Sequence, residues 1–174
     1  IARLVDLMHS IYGEGFLALH YLVFAGTERK DLVDCMDFNF VFSAGAQAIE
    51  MERRALISEL SHGVAVVNST NALQGALRLV GVERDCEVIT QALTFVATCN
   101  AIAYRGAHPV SVDEDRATLG LNPDAIRSLL DEFGERLDDG FITVAGRRIG
   151  ACQPMHTFGH PARIDEIVEI CSDW

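Results

Sequence analysis

The stretch from Thr90 to Asp113, TQALTFVATCNAIAYRGAHPVSVD, decides the fold. It closes one apolar run at Glu87–Thr90. It then reads as a helix over Val96–Tyr104 and enters a second apolar run at Pro109–Val112. A strand, a crossover helix and a second strand in so short a space make a βαβ unit, and such units build parallel sheets covered on both faces.

The pattern continues on either side. Upstream, Val64–Val67 is a short apolar run and Thr70–Val80 has helical spacing. Downstream, Pro123–Phe133 predicts a helix with Asn122 as its N-cap and Pro123 at its first position. Arg148–Cys152 predicts a strand and Arg163–Cys171 a last helix. Between them, Gly134–Gly146 is polar and bounded by glycines, which predicts a surface excursion. Nearer the start, Leu4, Leu7, Met8 and Ile11 predict a helix that Gly13 ends. Leu17–Asn39 reads as a loop with short extended pieces, and Ser43–Leu60 as a helix with Ile49, Leu56, Ile57 and Leu60 on one face. The expected class is α/β with a mostly parallel sheet. Residues 1–62 lead in, and residues 63–174 form the sheet domain. An alternating chain would supply another strand after Trp174, and the sequence begins without Met, so truncation at both ends is expected.

The chain of 174 residues fits one domain on length, and 49% hydrophobic content is enough for a core. A net charge of -11 argues against nucleic acid as a partner, because such surfaces need clustered Lys and Arg. Arg3, Asp6, His9 and Glu14 interrupt the first twenty residues, so no secretory signal is read there. No stretch is long and apolar enough to span a bilayer, and no membrane partner is expected. The five cysteines are scattered and never form a CxxC pair, which predicts reduced, mostly buried thiols in a cytoplasmic protein.

Certain residues have the chemistry to hold a ligand. Asn68-Ser69-Thr70-Asn71 opens a helix after an apolar run, where free backbone N–H groups and the helix dipole favour a phosphate; an ordinary N-cap gives the same pattern. Phe95 opens a helix after a strand, the end of an α/β sheet where ligands bind; a core aromatic gives the same pattern. Asp113 ends a strand and reads as a turn cap. His156 and His160 have a metal-like spacing, but Thr157, Phe158, Gly159 and Pro161 make a loop between them, so no metal site is expected.

The TFVATCNAI segment, the HPVSVD segment and the ACQPMHTFGHP segment together resemble the DegT/DnrJ/StrS family of pyridoxal-phosphate sugar aminotransferases. Leu19-His20, Phe42-Ser43-Ala44-Gly45 and Met51-Glu52 are similar to earlier stretches of that family. The form PMHTFGHPxRIDEI resembles the subgroup acting on keto-deoxysugars of the bacillosamine and legionaminic-acid type. The resemblance implies a three-layer α/β/α large domain of fold type I, followed by a small domain that this sequence does not contain. It implies that Thr70 and Asn71 hold the cofactor phosphate, although Ser69 and Asn71 are bulkier than the family's residues. It implies that Phe95 stacks on the cofactor ring, that Thr98 supports the site, that Asp113 is architectural, and that Gly45 and His156 lie toward the sugar.

The family's Schiff-base lysine has no counterpart, because Lys30 is the one lysine and lies elsewhere in the sequence. The expectation is therefore an aminotransferase fragment, inactive alone. Its complete form would be a homodimer moving an amino group from glutamate to a nucleotide-linked keto sugar. The alternatives are a non-catalytic module that binds a phosphate ligand or a partner, and a sugar dehydratase with His in place of the lysine.

Overall fold

The computed structural model describes residues 2–15, 23–38, 45–57, 62–137, 142–144 and 146–174. Leu19, His20, Phe42, Ser43 and Ala44 of the resemblance lie outside the described residues. The chain divides into two compact units, Ile1–Ala65 and Val66–Trp174.

The first unit contains helices α1 (Ala2–Tyr12), α2 (Glu28–Asp37) and α3 (Ala46–Ile57). Helix α2 corrects the expectation of a loop. Leu32, Val33 and Met36 have helical spacing, Glu28 and Asp31 suit the positive end of the helix dipole, and Lys30 pairs with Asp34 one turn on. These signals were diluted by the irregular sequence before Thr27.

The second unit holds α4 (Ser69–Leu79), β1 (Glu87–Gln91), α5 (Val96–Tyr104), β2 (His108–Val112), α6 (Pro123–Phe133), β3 (Glu135–Arg136), β4 (Ile142–Val144), β5 (Arg147–Cys152) and α7 (Ile164–Asp173). The sheet order is β2-β1-β5-β4-β3. Strands β2, β1 and β5 run parallel, while β3, β4 and β5 form an antiparallel meander. The expected surface excursion at 134–146 therefore carries two short strands that extend the sheet. Val64–Val67, expected as a strand, lies outside the sheet, and Val64 and Val67 are exposed. An apolar run becomes a strand only where a neighbouring strand accepts its backbone groups, and none lies beside this one among the described residues.

Strand β1 lies between β2 and β5 and is buried throughout, and its side chains alternate between two cores. Val88 faces Leu77, Val82, Cys86, Ala101, Ile102 and Ala107, where α4 and α5 cover the sheet. Ile89 faces Leu121, Ile126, Leu130, Ile167 and Ile170, where α6 and α7 cover the other side. This is the three-layer α/β/α arrangement. The register against β5 shifts between Glu87 and Val88, which pair with Ile149 and Ala151. Gly150 is the extra residue of that bulge. The bulge lets Ile149 and Cys152 face α6 and α7 while Ala151 faces the other core. A Cβ on Gly150 would sit 3.1 Å from Val82 Cγ2 and 3.4 Å from Cys86 Cβ, so any side chain there would have to push Val82 aside.

Helix starts follow their sequence signals. Asn122 Oδ1 accepts from the Asp124 N–H at 3.0 Å with Pro123 at the first position of α6, as expected. At α4 the cap is Asn68, whose Oδ1 accepts from the Asn71 N–H at 2.9 Å. The cysteines are less hidden than expected: Cys86 is buried, Cys35, Cys99 and Cys152 are partly buried, and Cys171 is exposed.

Candidate functional site

Buried side chains at the end of β1 tie it to the chain that follows β5. Gln91, the last residue of β1, is fully buried. Its Nε2 donates to Leu93 O at 2.9 Å, to Thr157 Oγ1 at 2.9 Å and to Leu119 O at 3.1 Å. Its Oε1 accepts from the Met155 N–H at 3.0 Å. Thr157 Oγ1 in turn donates to Leu119 O at 2.7 Å. A buried amide is tolerated only when its donors and acceptors are satisfied, and here that requirement pins three loops together: 92–95 after β1, 113–121 after β2 and 153–157 after β5. Thr90 Oγ1 adds a bond to Gln153 O at 2.9 Å, and the Leu93 N–H donates to Glu114 Oε1.

Two non-glycine residues in the left-handed backbone region border this hub. Leu119 has φ 56°, and its carbonyl accepts from both Gln91 and Thr157. Phe158 has φ 54° and directly follows Thr157. Such conformations cost about 1–3 kcal/mol each and persist where surrounding contacts over-determine them, often at functional sites.

Around the hub lie several of the residues singled out from the sequence. Phe95 caps α5 with its ring 63% exposed, so it is not the core aromatic its position also allowed. Its N–H donates to Met155 Sδ at 3.4 Å. Thr98 is buried one turn into α5, and its Oγ1 lies 2.8 Å from Thr94 Oγ1, which lies 3.2 Å from Met155 Sδ. His156 follows Met155. Its Nδ1 accepts from the Ala162 N–H at 3.0 Å, which places the proton of the neutral ring on Nε2 and makes that atom a donor on an exposed residue. His156 and His160 flank one 3-10 turn, Thr157–Gly159, and not a common helix face. Among the described residues, no group of three or more His, Cys, Asp or Glu is placed to hold a metal ion.

Thr70 and Asn71 stand on the first turn of α4, which packs beside α5 in the same core. No hydrogen bond links them to Phe95 among the described residues. Asn68 takes the Asn71 N–H, which leaves the N–H groups of Ser69 and Thr70 at the positive end of the helix dipole. Gly45 belongs to the first unit, buried just ahead of α3, where its carbonyl accepts from the Ile49 N–H at 3.1 Å. Lys30 is also in the first unit. Its Nζ donates to Asp34 Oδ2 at 2.7 Å, and that bond and charge hold the ammonium more firmly protonated than usual. Asp113 contributes its carbonyl, which accepts from the Asn122 N–H at 3.1 Å and so caps the approach to α6.

A groove of about 470 Å³ opens beside β5. Of β5, strand β4 covers Arg147 and Arg148, and beyond them the far edge of β5 lies between α4 and α7. The Gln91 hub and this groove were not anticipated from the sequence. The one available signal for the hub was a polar residue closing the apolar run VIT.

A family profile, that of the DegT/DnrJ/EryC1/StrS aminotransferases, matches residues 24–174. GDP-perosamine synthase of Caulobacter vibrioides is 32% identical over 146 residues, covering 83% of this chain and 35% of that protein. The crystal structure of 3-amino-5-hydroxybenzoic acid synthase superposes with TM-score 0.69 at 29% identity, covering 90% of this chain and 38% of that one. Spr1654 of Streptococcus pneumoniae, solved in its PLP form, gives TM-score 0.56 at 28% identity over 64% of this chain and 29% of that one. The chain thus spans about a third of the length of these proteins. Its sheet and helices are part of the large domain of the fold-type-I aminotransferases. With most of its length matched, the chain belongs to the DegT/DnrJ/EryC1/StrS aminotransferase family.

Proposed function

We propose that this chain carries the cofactor-holding part of a pyridoxal-phosphate aminotransferase. Its substrate would be a nucleotide-linked 4-keto-deoxysugar, and its amino donor glutamate. When bound, the cofactor supplies the electron sink and carries the amino group. The observation that carries the reading is the cluster at the carboxyl ends of β1 and β5. There the buried Gln91 holds Met155, whose sulfur accepts from the N–H of the exposed Phe95, and the next residue, His156, is oriented by the Ala162 N–H.

The residues present fit the phosphate and ring ends of that cofactor. The hydroxyl of Thr70 and the free N–H groups at the start of α4 suit a phosphate, with Asn71 beside them. Phe95 offers a flat apolar face to a ring. Thr98 holds the loop behind Phe95 through Thr94. His156 Nε2–H would donate to a sugar oxygen. The residues do not fit the family's proton-moving lysine, because Lys30 is committed to Asp34. The chain alone is therefore expected to bind the cofactor without turning over a keto sugar.

The PMHTFGHP segment favours substrates of the bacillosamine and legionaminic-acid type. The five free thiols and a nucleotide-sugar substrate favour the cytoplasm, where the whole enzyme would act as a homodimer. Among the described residues, no helix is long and apolar enough to cross a membrane.

Calorimetric titration tests the reading. Pyridoxal phosphate is expected to bind more tightly than pyridoxal, with inorganic phosphate competing. Thr70→Ala should weaken it roughly tenfold, the loss of about one charge-assisted hydrogen bond. Equal affinity for the two vitamers, or loss of binding in Lys30→Arg with no effect of Thr70→Ala, would overturn it.

A further inference from the structure

The groove beside β5 contains a feature that the aminotransferase reading does not use. Cys152, the last residue of β5, and Cys171, in the last turns of α7, line the same groove. Both belong to the layer in which α7 covers the sheet, where Cys152 packs partly buried beside Ile167 and Ile170. Cys171 is exposed at the mouth. We propose that Cys152 and Cys171 form a thiol pair that oxidises to an intramolecular disulfide by exchange with a small-molecule disulfide.

Contact between the two side chains prepares the exchange. The Cys152 S–H donates toward Cys171, which holds the Cys171 thiol down to about 7, while the same contact, with burial, pushes the Cys152 thiol up. Cys171, exposed at the mouth, is the attacking thiolate, and the partly buried Cys152 is the resolving thiol. The Cys171 thiolate attacks one sulfur of the reagent disulfide, forms a mixed disulfide and releases one thiolate. Cys171 then carries no charge and no longer accepts from Cys152, so the main cause of the raised Cys152 value disappears. Cys152 loses its proton to solvent, attacks the Cys171 sulfur and releases the second thiolate. Two electrons pass from the protein pair to the reagent, which leaves as two thiols. The new bond would join the end of β5 to α7, directly ahead of the Gln153–His156 loop that the Gln91 hub holds.

The test is treatment of the chain with oxidised glutathione at pH 7, followed by free-thiol titration and non-reducing peptide mass mapping. The expected result is loss of two of the five thiols and one linked peptide pair, Cys152 with Cys171. Cys171, exposed at the mouth of the groove, should be the first of the pair to react. Cys152→Ser should stop at the glutathione adduct of Cys171. Cys171→Ser should leave Cys152 unreacted. A thermal melt of each variant confirms that it is folded. Separate adducts on the two residues of the unmodified chain, or a linkage involving Cys35, Cys86 or Cys99, would overturn the proposal.

Discussion

Helices α1 and α6 are written in the same amphipathic code and end in different situations. In α1, Leu4, Leu7 and Ile11 recur at helical spacing, and Leu7 is 55% exposed. In α6, Ile126 and Leu130 recur at the same spacing, and Ile126 is fully buried against Ile89 and Ile167. Periodicity makes both segments helical. Within the second unit, α6 lies against a sheet with alternating side chains to receive it. The difference teaches that a hydrophobic stripe specifies secondary structure, whereas burial requires a partner surface. The sharpest way to break this contrast is Ile126→Ala beside Leu7→Ala. Urea denaturation should show a loss of about 2–5 kcal/mol for the first, from lost burial and the cavity left behind. The second should stay within about 0.5 kcal/mol. Comparable losses would mean that α1 is packed more fully than its exposure indicates.

The next largest effect is expected at the hub. Gln91→Ala leaves the Met155 N–H and the Leu93 carbonyl without their partner, and each unsatisfied buried group costs about 1–3 kcal/mol. Hydrogen exchange at the Met155 amide should accelerate more than the global stability change explains, because the loop is released locally. Gln91→Glu separates the roles: its carboxylate still accepts from Met155 but offers no donor to Leu93, Leu119 or Thr157. Unchanged Met155 protection in Gln91→Ala would sink the idea that this residue holds the loops.

What was legible in the sequence follows the same division. Helix α6 runs as predicted because cap, periodicity and flanking strands agree, and α5 because a strand stands on either side of it. The three-layer fold was legible for the same reason. Val64–Val67 was misread because an apolar run carries no record of whether a neighbouring strand is present. The strands of 134–146 are too short to carry a period. The position of Phe95 near a carboxyl end of the sheet was legible from element order, and that of His156 only from the family resemblance of its loop. The Gln91 hub was not, because its partners Leu119, Met155 and Thr157 lie 28, 64 and 66 residues away. Long-range polar pairing leaves no local pattern.

Gly150 offers a smaller test, of the sheet alone. The alanine Cβ of Gly150→Ala must displace Val82 by a few tenths of an ångström inside a packed core, at about 1 kcal/mol or somewhat more. Gly75→Ala, where a Cβ would meet nothing within 4 Å, is the control, and it should stabilise α4 slightly. If Gly150→Ala is neutral while Gly75→Ala is not stabilising, the bulge is not the tight point of the sheet.

The smallest effect belongs to the exposed face of α3, and it returns to the first unit. Glu50 accepts from Arg53 Nε at 2.7 Å and from its second nitrogen at 2.8 Å, and also from Arg54 Nε at 2.8 Å. The Arg53 bonds, then those of Arg54, hold its carboxyl down to about 2, against an ordinary value of 4.5. A carboxyl depressed in the folded state contributes its stability fully above 4.5 and loses it as pH falls through about 2. The face is open to water and salt, so the contribution is screened and stays small. Far-ultraviolet ellipticity followed from pH 6 to pH 2 should show a component in that window for the unmodified chain. Glu50→Gln should remove it, and high salt should shrink it. The fluorescence of Trp174, in the other unit, should not follow that component. Identical acid profiles for the chain and Glu50→Gln would show that the two arginines orient the carboxylate without stabilising the helix. Helix α3 would then owe nothing measurable to this cluster of surface charges.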